Sequence, residues 1–286
     1  MIYQGNKARL RPYIIPIIQK CIDDNNITTY IEPFVGGANV IDHIKCEKRI
    51  GTDNNEELIE LLNYMKLNPN LSEFPEECSF EHYKDVRENR KNGTNKYTKA
   101  YTTGIGYFAS YGGRYFDGGY GRDAKGGRSI YAERLAYARK QAPLLKDIEF
   151  YVCDYTEFSD YKNCVFYLDP PYKGTKTYNG KQGFDYIKFY DFCRKLSQNN
   201  FVFISEYYMP MDFKCIWEKE RKVLQKSDRI KADVAVEKLF IRTKSCENNS
   251  WQIILSILLW VYPSYEGIKY NASQLLAEGE NLCQKK

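Results

Sequence analysis

The residues with the most chemical content are Asp169-Pro170-Pro171-Tyr172, which follow directly on the apolar run Cys164 to Leu168. Such a run reads as a buried strand, and open α/β sheets bind their ligands at the carboxyl ends of strands. Two successive prolines hold a rigid, extended turn. They aim the Asp169 carboxylate and the Pro170 carbonyl, both acceptors, at one point. An exocyclic amine donating to both passes from planar toward tetrahedral, which frees its lone pair for attack. Tyr172 offers a ring to stack on the base that carries the amine. This chemistry needs neither histidine nor metal, which suits a chain with only two histidines, His43 and His82, and nine cysteines that form no C-x-x-C pair. Inventory thus disfavours a histidine-based triad, a structural zinc site and a disulfide framework.

A second group lies near the start of the chain, in Tyr30-Ile31-Glu32-Pro33-Phe34-Val35-Gly36-Gly37. A carboxylate at Glu32 repels a pyrophosphate and welcomes a cationic ligand. Gly36-Gly37 is not G-x-G-x-x-G, so the pair by itself fits an ordinary strand-to-helix turn as well as a nucleotide loop. Asp53 lies 17 residues beyond Gly36 at the end of a second short strand, where ribose hydroxyls are gripped in nucleotide folds. A solvated or capping acid there has the same sequence signature. Asp154 and Lys7 also have two readings, as ligand contacts or as ordinary surface charges.

The elements that must position these residues begin as β-α-β-α. Thr28 to Glu32 reads as a strand, the glycine turn leads into a helical pattern over Val40 to Lys45, Arg49 to Asp53 is a strand, and Glu56 to Met65 is a helix with acids in its first turn. Pro69 to Cys78 reads as a loop and Phe80 to Arg90 as a helix. Gly104 to Gly127 holds nine of the nineteen glycines among many aromatics, a composition that predicts no core helix. Helical spacing resumes over Tyr131 to Gln141. Strands are then predicted at Glu149 to Cys153, Cys164 to Leu168 and Phe201 to Ser205, with a helix at Tyr186 to Leu196. Arg221 to Gln225 and Glu237 to Ile241 supply a last, hairpin-like pair. The pattern is a parallel α/β sheet interrupted by an insertion.

Charge marks the same insertion. From Lys84 to Lys140 there are thirteen basic and five acidic residues, a net of +8, whereas the rest of the 286-residue chain nets −3. Positive charge gathered in one segment is expected where that segment meets phosphate. Arg114, Arg122, Lys125 and Arg128, set among glycines and aromatics, fit a loop laid along DNA. With 43% hydrophobic and 28% charged residues the chain is globular rather than disordered. The run Trp251 to Tyr262 spans 12 residues, short of the ~20 a membrane helix needs. With no secretory pattern at the N-terminus, these features predict a cytoplasmic protein without membrane attachment.

With these motifs the chain resembles the Dam-type DNA adenine-N6 methyltransferases, over nearly everything from Tyr3 to about Ile241. Tyr3-Gln4-Gly5-Asn6-Lys7 is similar to that family's N-terminal aromatic-Gly-Lys motif, and Tyr30 to Gly37 to its principal cofactor loop. The resemblance implies a Rossmann-like methyltransferase sheet with helices on both faces, S-adenosylmethionine as cofactor, no metal, and double-stranded DNA as partner. It makes Asp169, Pro170, Pro171 and Tyr172 the catalytic tetrad. The cofactor falls to Tyr3, Lys7, Glu32, Pro33, Phe34, Gly36 and Gly37, with Asp53 at the ribose and Asp154 at the adenine end. Phe184 falls where the family has an aromatic near a flipped base. Residues 1–67 and 146–245 become the catalytic domain, 68–145 a mainly helical target-recognition insertion, and 246–286 an extension on which the resemblance is silent. A monomer satisfies all of this, although the sequence does not fix the oligomeric state.

Other chemistries use related motifs. N4-cytosine methyltransferases usually begin the tetrad with Ser, so Asp169 favours adenine. C5-cytosine chemistry needs a cysteine nucleophile, and the Pro-Cys pair typical of it is absent; RNA or protein amine methyltransferases more often carry Asn before the prolines. A catalytically silent DNA-binding module would also retain the basic insertion; the intact Glu32, Asp53, Asp169 and Tyr172 weigh against it.

Overall fold

The computed structural model describes residues 1–3, 5–123, 126–172, 183–223 and 233–242. The chain divides into two compact units, Met1–Ile15 with Glu32–Tyr155, and Pro16–Ile31 with the residues from Thr156 onward.

In the first unit, β2 (Lys48–Asp53) and β3 (Ile148–Val152) run parallel, with Gly51 opposite Phe150 and Asp53 opposite Val152. Helix α2 (Glu56–Leu67) starts where the Asn55 side chain accepts the Leu58 N–H, and Glu56 and Glu57 in its first turn oppose the helix dipole. It buries Leu58, Leu61, Leu62 and Met65, which recur at helical spacing. The predicted insertion contributes α3 (Phe80–Asn92), α4 (Lys99–Ala109) and α5 (Ile130–Gln141). Ser79, Thr98 and Ser129 cap their N-termini by accepting the N–H groups of His82, Tyr101 and Ala132. Helix α4 packs on α2, α3 and α5.

Two sequence expectations fail in this unit. The glycine-rich stretch does enter a core helix, since α4 runs through Gly104 and Gly106 and every residue from Ala100 to Ala109 is buried. Aromatic packing is the reason. A Cβ on Gly106 would lie 2.6 Å from the Tyr115 ring and 2.8 Å from Phe116, and one on Gly104 would run into Phe74. Glycine costs a helix ~1 kcal/mol relative to alanine, but each large ring it admits brings a greater hydrophobic gain of about 1.5–3 kcal/mol. Beyond Ser110 a single 3₁₀ turn, Tyr111–Gly113, is the last helical piece before α5 among the described residues. The helix predicted over Val40 to Lys45 is likewise reduced to a 3₁₀ turn, Ile41–His43, followed by an extended Ile44. Arg49 donates to the carbonyls of Ile41 and Ile44, satisfying groups that a longer helix would have paired internally.

In the second unit, β1 (Thr29–Glu32) pairs in parallel with β4 (Val165–Leu168), and β4 with β5 (Phe201–Glu206). Strand β7 (Asp233–Arg242) joins β5 antiparallel, and β6 (Phe213–Val223) joins β7 the same way. Of the predicted final pair, Glu237 to Ile241 lies within β7, and Arg221 to Val223 closes a β6 that begins eight residues earlier, while Leu224 and Gln225 lie outside the described residues. All of β4 is buried, as expected for a parallel strand covered on both faces. Helix α6 (Tyr186–Leu196) links β4 to β5 in sequence and buries Phe189, Phe192, Cys193 and Leu196.

Helix α1 (Arg11–Asp24) was not predicted; it begins in the first unit and ends in the second. Taken together the seven described strands are mostly parallel and alternate with helices, an α/β fold of the Rossmann-like kind. No helix among the described residues is long and apolar enough to cross a membrane. The 246–286 extension lies outside the described residues.

Candidate active site

The predicted cofactor residues fall in the first unit. Glu32 ends β1 and is buried. The chain then turns through Pro33 to Gly37, and the Val35 N–H donates to the Thr52 carbonyl at 2.8 Å, laying the turn along β2. Gly36 takes φ +48°, and a Cβ there would lie 3.1 Å from the Tyr3 ring. Glycine thus meets both the left-handed conformation and the close approach of Tyr3. Asp53 closes β2 and accepts the N–H of Gly36 at 3.2 Å and of Asn55 at 3.0 Å. Desolvation pushes its carboxyl up to about 6 against those hydrogen bonds.

Phe34 stacks on Tyr155 with ring centroids 5.2 Å apart, which brings the turn after β1 beside the turn after β3. Asp154, next to Tyr155, is exposed. Lys7 is buried and donates to the Gly5 carbonyl. Two carboxylates at adjoining strand ends, beside a turn in which added Cβ atoms have no room, fit a ligand with a cationic end and a ribose.

The predicted catalytic residues fall in the second unit. Asp169 follows β4 directly, and its Oδ1 is shielded from solvent. The Pro171 carbonyl accepts the Tyr186 hydroxyl at 2.9 Å, so the first turn of α6 holds the proline pair in place. Tyr172 is buried, donates to Glu237 Oε2 at 3.0 Å, and sets its ring edge-to-face on Tyr207 with centroids 4.6 Å apart. Burial first, then the charges of Asp169 and Glu237, hold its phenol well above its ordinary range, so the hydroxyl stays protonated. Phe184 is half-buried and packs on Tyr186 and Phe189.

Sequence reasoning missed three residues here: Tyr186, Glu237 and Glu206. Glu206 is fully buried at the end of β5, where its Oε1 accepts the Tyr207 N–H. An acid at the carboxyl end of a predicted strand was the signal that singled out Asp169, and it marks Glu206 as well. No local pattern announces Glu237, which meets Tyr172 only through the pairing of distant strands.

The candidate DNA-contacting residues are dispersed on the first unit. Arg114 is exposed, and Arg122 lies 4.9 Å over the Phe80 ring and 5.8 Å over Tyr120. Arg128 makes a bidentate pair with Glu133, both bonds 2.7 Å. Arg122, Arg128 and Arg134 share the lining of an open cleft of about 380 Å³ with Asp123, Glu133 and Tyr137. Lys125 lies outside the described residues.

A curated relative, Type II methyltransferase M1.LlaDCHI from Lactococcus lactis subsp. cremoris, is 30% identical over 106 residues, which span 32% of this chain and 37% of the relative. A solved chain described as SMU.472, a methyltransferase by assignment, in complex with SAH, covers 71% of this chain and 49% of its own at 13% identity and a TM-score of 0.23. At that likeness the fold rests on this chain's own strand pattern. The model of the D12 class N6 adenine-specific DNA methyltransferases matches residues 3–213. With most of its length matched, from the N-terminal aromatic through the tetrad and into β6, the chain belongs to the D12 class N6 adenine-specific DNA methyltransferase family.

Proposed function

We propose that this chain methylates the N6 amine of an adenine flipped out of double-stranded DNA, with S-adenosylmethionine as donor. The observation that carries the reading is the tetrad: Asp169 at the carboxyl end of a fully buried β4, its proline turn held by Tyr186 and its tyrosine by Glu237. When bound, the cofactor supplies an electrophilic methyl group. Tyr3, Lys7, Glu32 and, from the turn after it, Pro33, Phe34, Gly36 and Gly37 hold its methionine end, Asp53 its ribose hydroxyls, and Asp154 its adenine.

The target amine donates to the Asp169 carboxylate and the Pro170 carbonyl, which draws its lone pair out of conjugation with the ring and directs it outward. Because Tyr186 and Glu237 fix the tetrad beforehand, little reorganisation is required as charge develops on the amine. Tyr172 and Phe184 supply aromatic surface to the base. Arg114, Arg122, Lys125 and Arg128 serve the duplex, through phosphates or base edges. Incubation with methyl-labelled cofactor and duplex DNA tests the reading. Label recovered as N6-methyladenine supports it; label confined to cytosine or RNA, or cofactor binding with no transfer, refutes it.

A further inference from the structure

Helix α5 reaches the cofactor turn directly. Near its C-terminal end, Gln141 is buried, and its Nε2 lies 3.0 Å from the Gly37 carbonyl, 2.9 Å from the Ala38 carbonyl and 2.9 Å from Asp42 Oδ2. Its Oε1 accepts the Met1 amine. One helical turn earlier, Tyr137 donates to Asn39 Oδ1 at 3.3 Å, and Asn39 in turn donates to the Gly37 carbonyl at 3.1 Å. Residues four apart share a helix face, so one face of α5 addresses Gly37, Ala38, Asn39 and Asp42 of the loop.

The loop needs such bracing. Ala38 has φ +54°, a left-handed conformation that costs a non-glycine residue about 1–2 kcal/mol and persists only where its surroundings hold it. The Gln141 amide has two hydrogens to share among three acceptors. Two of these are carbonyls of the turn that follows the Gly36 N–H to Asp53 bond.

We infer that Gln141 is a positioning residue for cofactor binding, by which α5, the last α-helix before β3, locks the Gly37–Ala38 turn into its binding shape. The inference rests on the reading of that turn as the S-adenosylmethionine loop. Helix α5 also begins one residue after Ser129, hard by Arg128, so the segment proposed to meet DNA and the turn proposed to meet cofactor are joined by a single helix.

The test is calorimetry with S-adenosylhomocysteine on the full chain and on Gln141→Leu, with duplex binding measured in parallel. Losing a buried donor to two carbonyls weakens S-adenosylhomocysteine binding about tenfold, while duplex affinity stays within about twofold. In steady state KM for S-adenosylmethionine rises by the same factor and kcat at saturating cofactor is held. A purely structural lesion instead lowers kcat through the folded fraction and leaves KM unmoved. Wild-type affinity for S-adenosylhomocysteine in Gln141→Leu overturns the inference. Should that variant fail to fold, Gln141→Glu keeps the shape and exchanges the donors for a carboxylate facing Asp42, and undiminished affinity there overturns it equally. A wild-type chain that binds duplex but not S-adenosylhomocysteine defeats the cofactor reading itself, and the inference with it.

Discussion

The hydroxyl of Tyr172 donates to Glu237 Oε2 at 3.0 Å, joining the last residue of the tetrad to β7 across 65 residues of sequence. Tyr172→Phe removes a donor from a buried carboxylate and should cost about 1–3 kcal/mol of stability; Glu237→Gln, which still accepts, should cost less. Glu237→Ala should lower kcat at least tenfold with S-adenosylhomocysteine affinity unchanged. Equal melting curves for Tyr172→Phe and wild type would show that the bond carries no weight.

Asp169→Ala should abolish methyl transfer yet leave S-adenosylhomocysteine binding intact, because in the proposed reading its carboxylate acts on the target amine and not on the cofactor's ribose. Calorimetry and a transfer assay on the same preparation separate the two. Parallel loss of both would reassign Asp169 to the cofactor.

Asp53 sets a pH dependence. Its carboxyl is raised from 3.8 to about 6 in the fold, so between those values the native state keeps a proton that the unfolded chain has lost. Its contribution to stability is fully present below about pH 4 and disappears as pH rises through about 6. Ribose hydroxyls donating to the carboxylate favour its ionised form, so S-adenosylhomocysteine affinity should rise from pH 5 to pH 7. Titrations across that range should show the slope in wild type and a flat profile, at weaker affinity, in Asp53→Asn.

Gly106→Ala is a test of α4. Helix propensity alone predicts a gain of ~1 kcal/mol. The added Cβ, 2.6 Å from the Tyr115 ring, brings an overpacking cost of about 1–3 kcal/mol. The clash should win, and thermal melts should show net destabilisation; a more stable variant would mean that the rings move aside without penalty.

Among Arg114→Ala, Arg122→Ala and Arg128→Ala, at least one should relax site preference, at ~1–3 kcal/mol for a single base position, with cofactor affinity unchanged in all three. Loss of a phosphate contact instead weakens every sequence alike and lowers the salt slope by about one unit. Binding to the cognate site and its single-base variants at several salt concentrations distinguishes them. Uniform weakening by all three places base reading elsewhere.

Strand positions, and the acids at their ends, were legible because a short apolar run ending in an acid or a turn is a local signal, as at Leu168-Asp169 and Thr52-Asp53. Helix α1 also carried a local signal, since Ile14, Ile17, Ile18, Cys21 and Ile22 recur at helical spacing and are all buried; Pro12 and Pro16 masked it. Helix α4 was illegible for another reason. The space that Gly104 and Gly106 give is used by Phe74, Tyr115 and Phe116, and nothing in the local pattern names those partners. Glu237 and Gln141 act wholly through tertiary contact, so their spacing from Tyr172 and Gly37 has no meaning along the chain.

The chain passes from one compact unit to the other at three points: after Ile15, after Ile31 and after Tyr155. No single cut therefore separates the two units. A fragment ending at Tyr155 would carry Tyr30 and Ile31 without Val165 and Phe166, their partners across the β1–β4 ladder, and so would expose an unpaired apolar strand edge of the kind that drives aggregation. Complementing fragments would have to be split inside a surface turn of one unit, with both pieces supplied together, for either half to find its sheet.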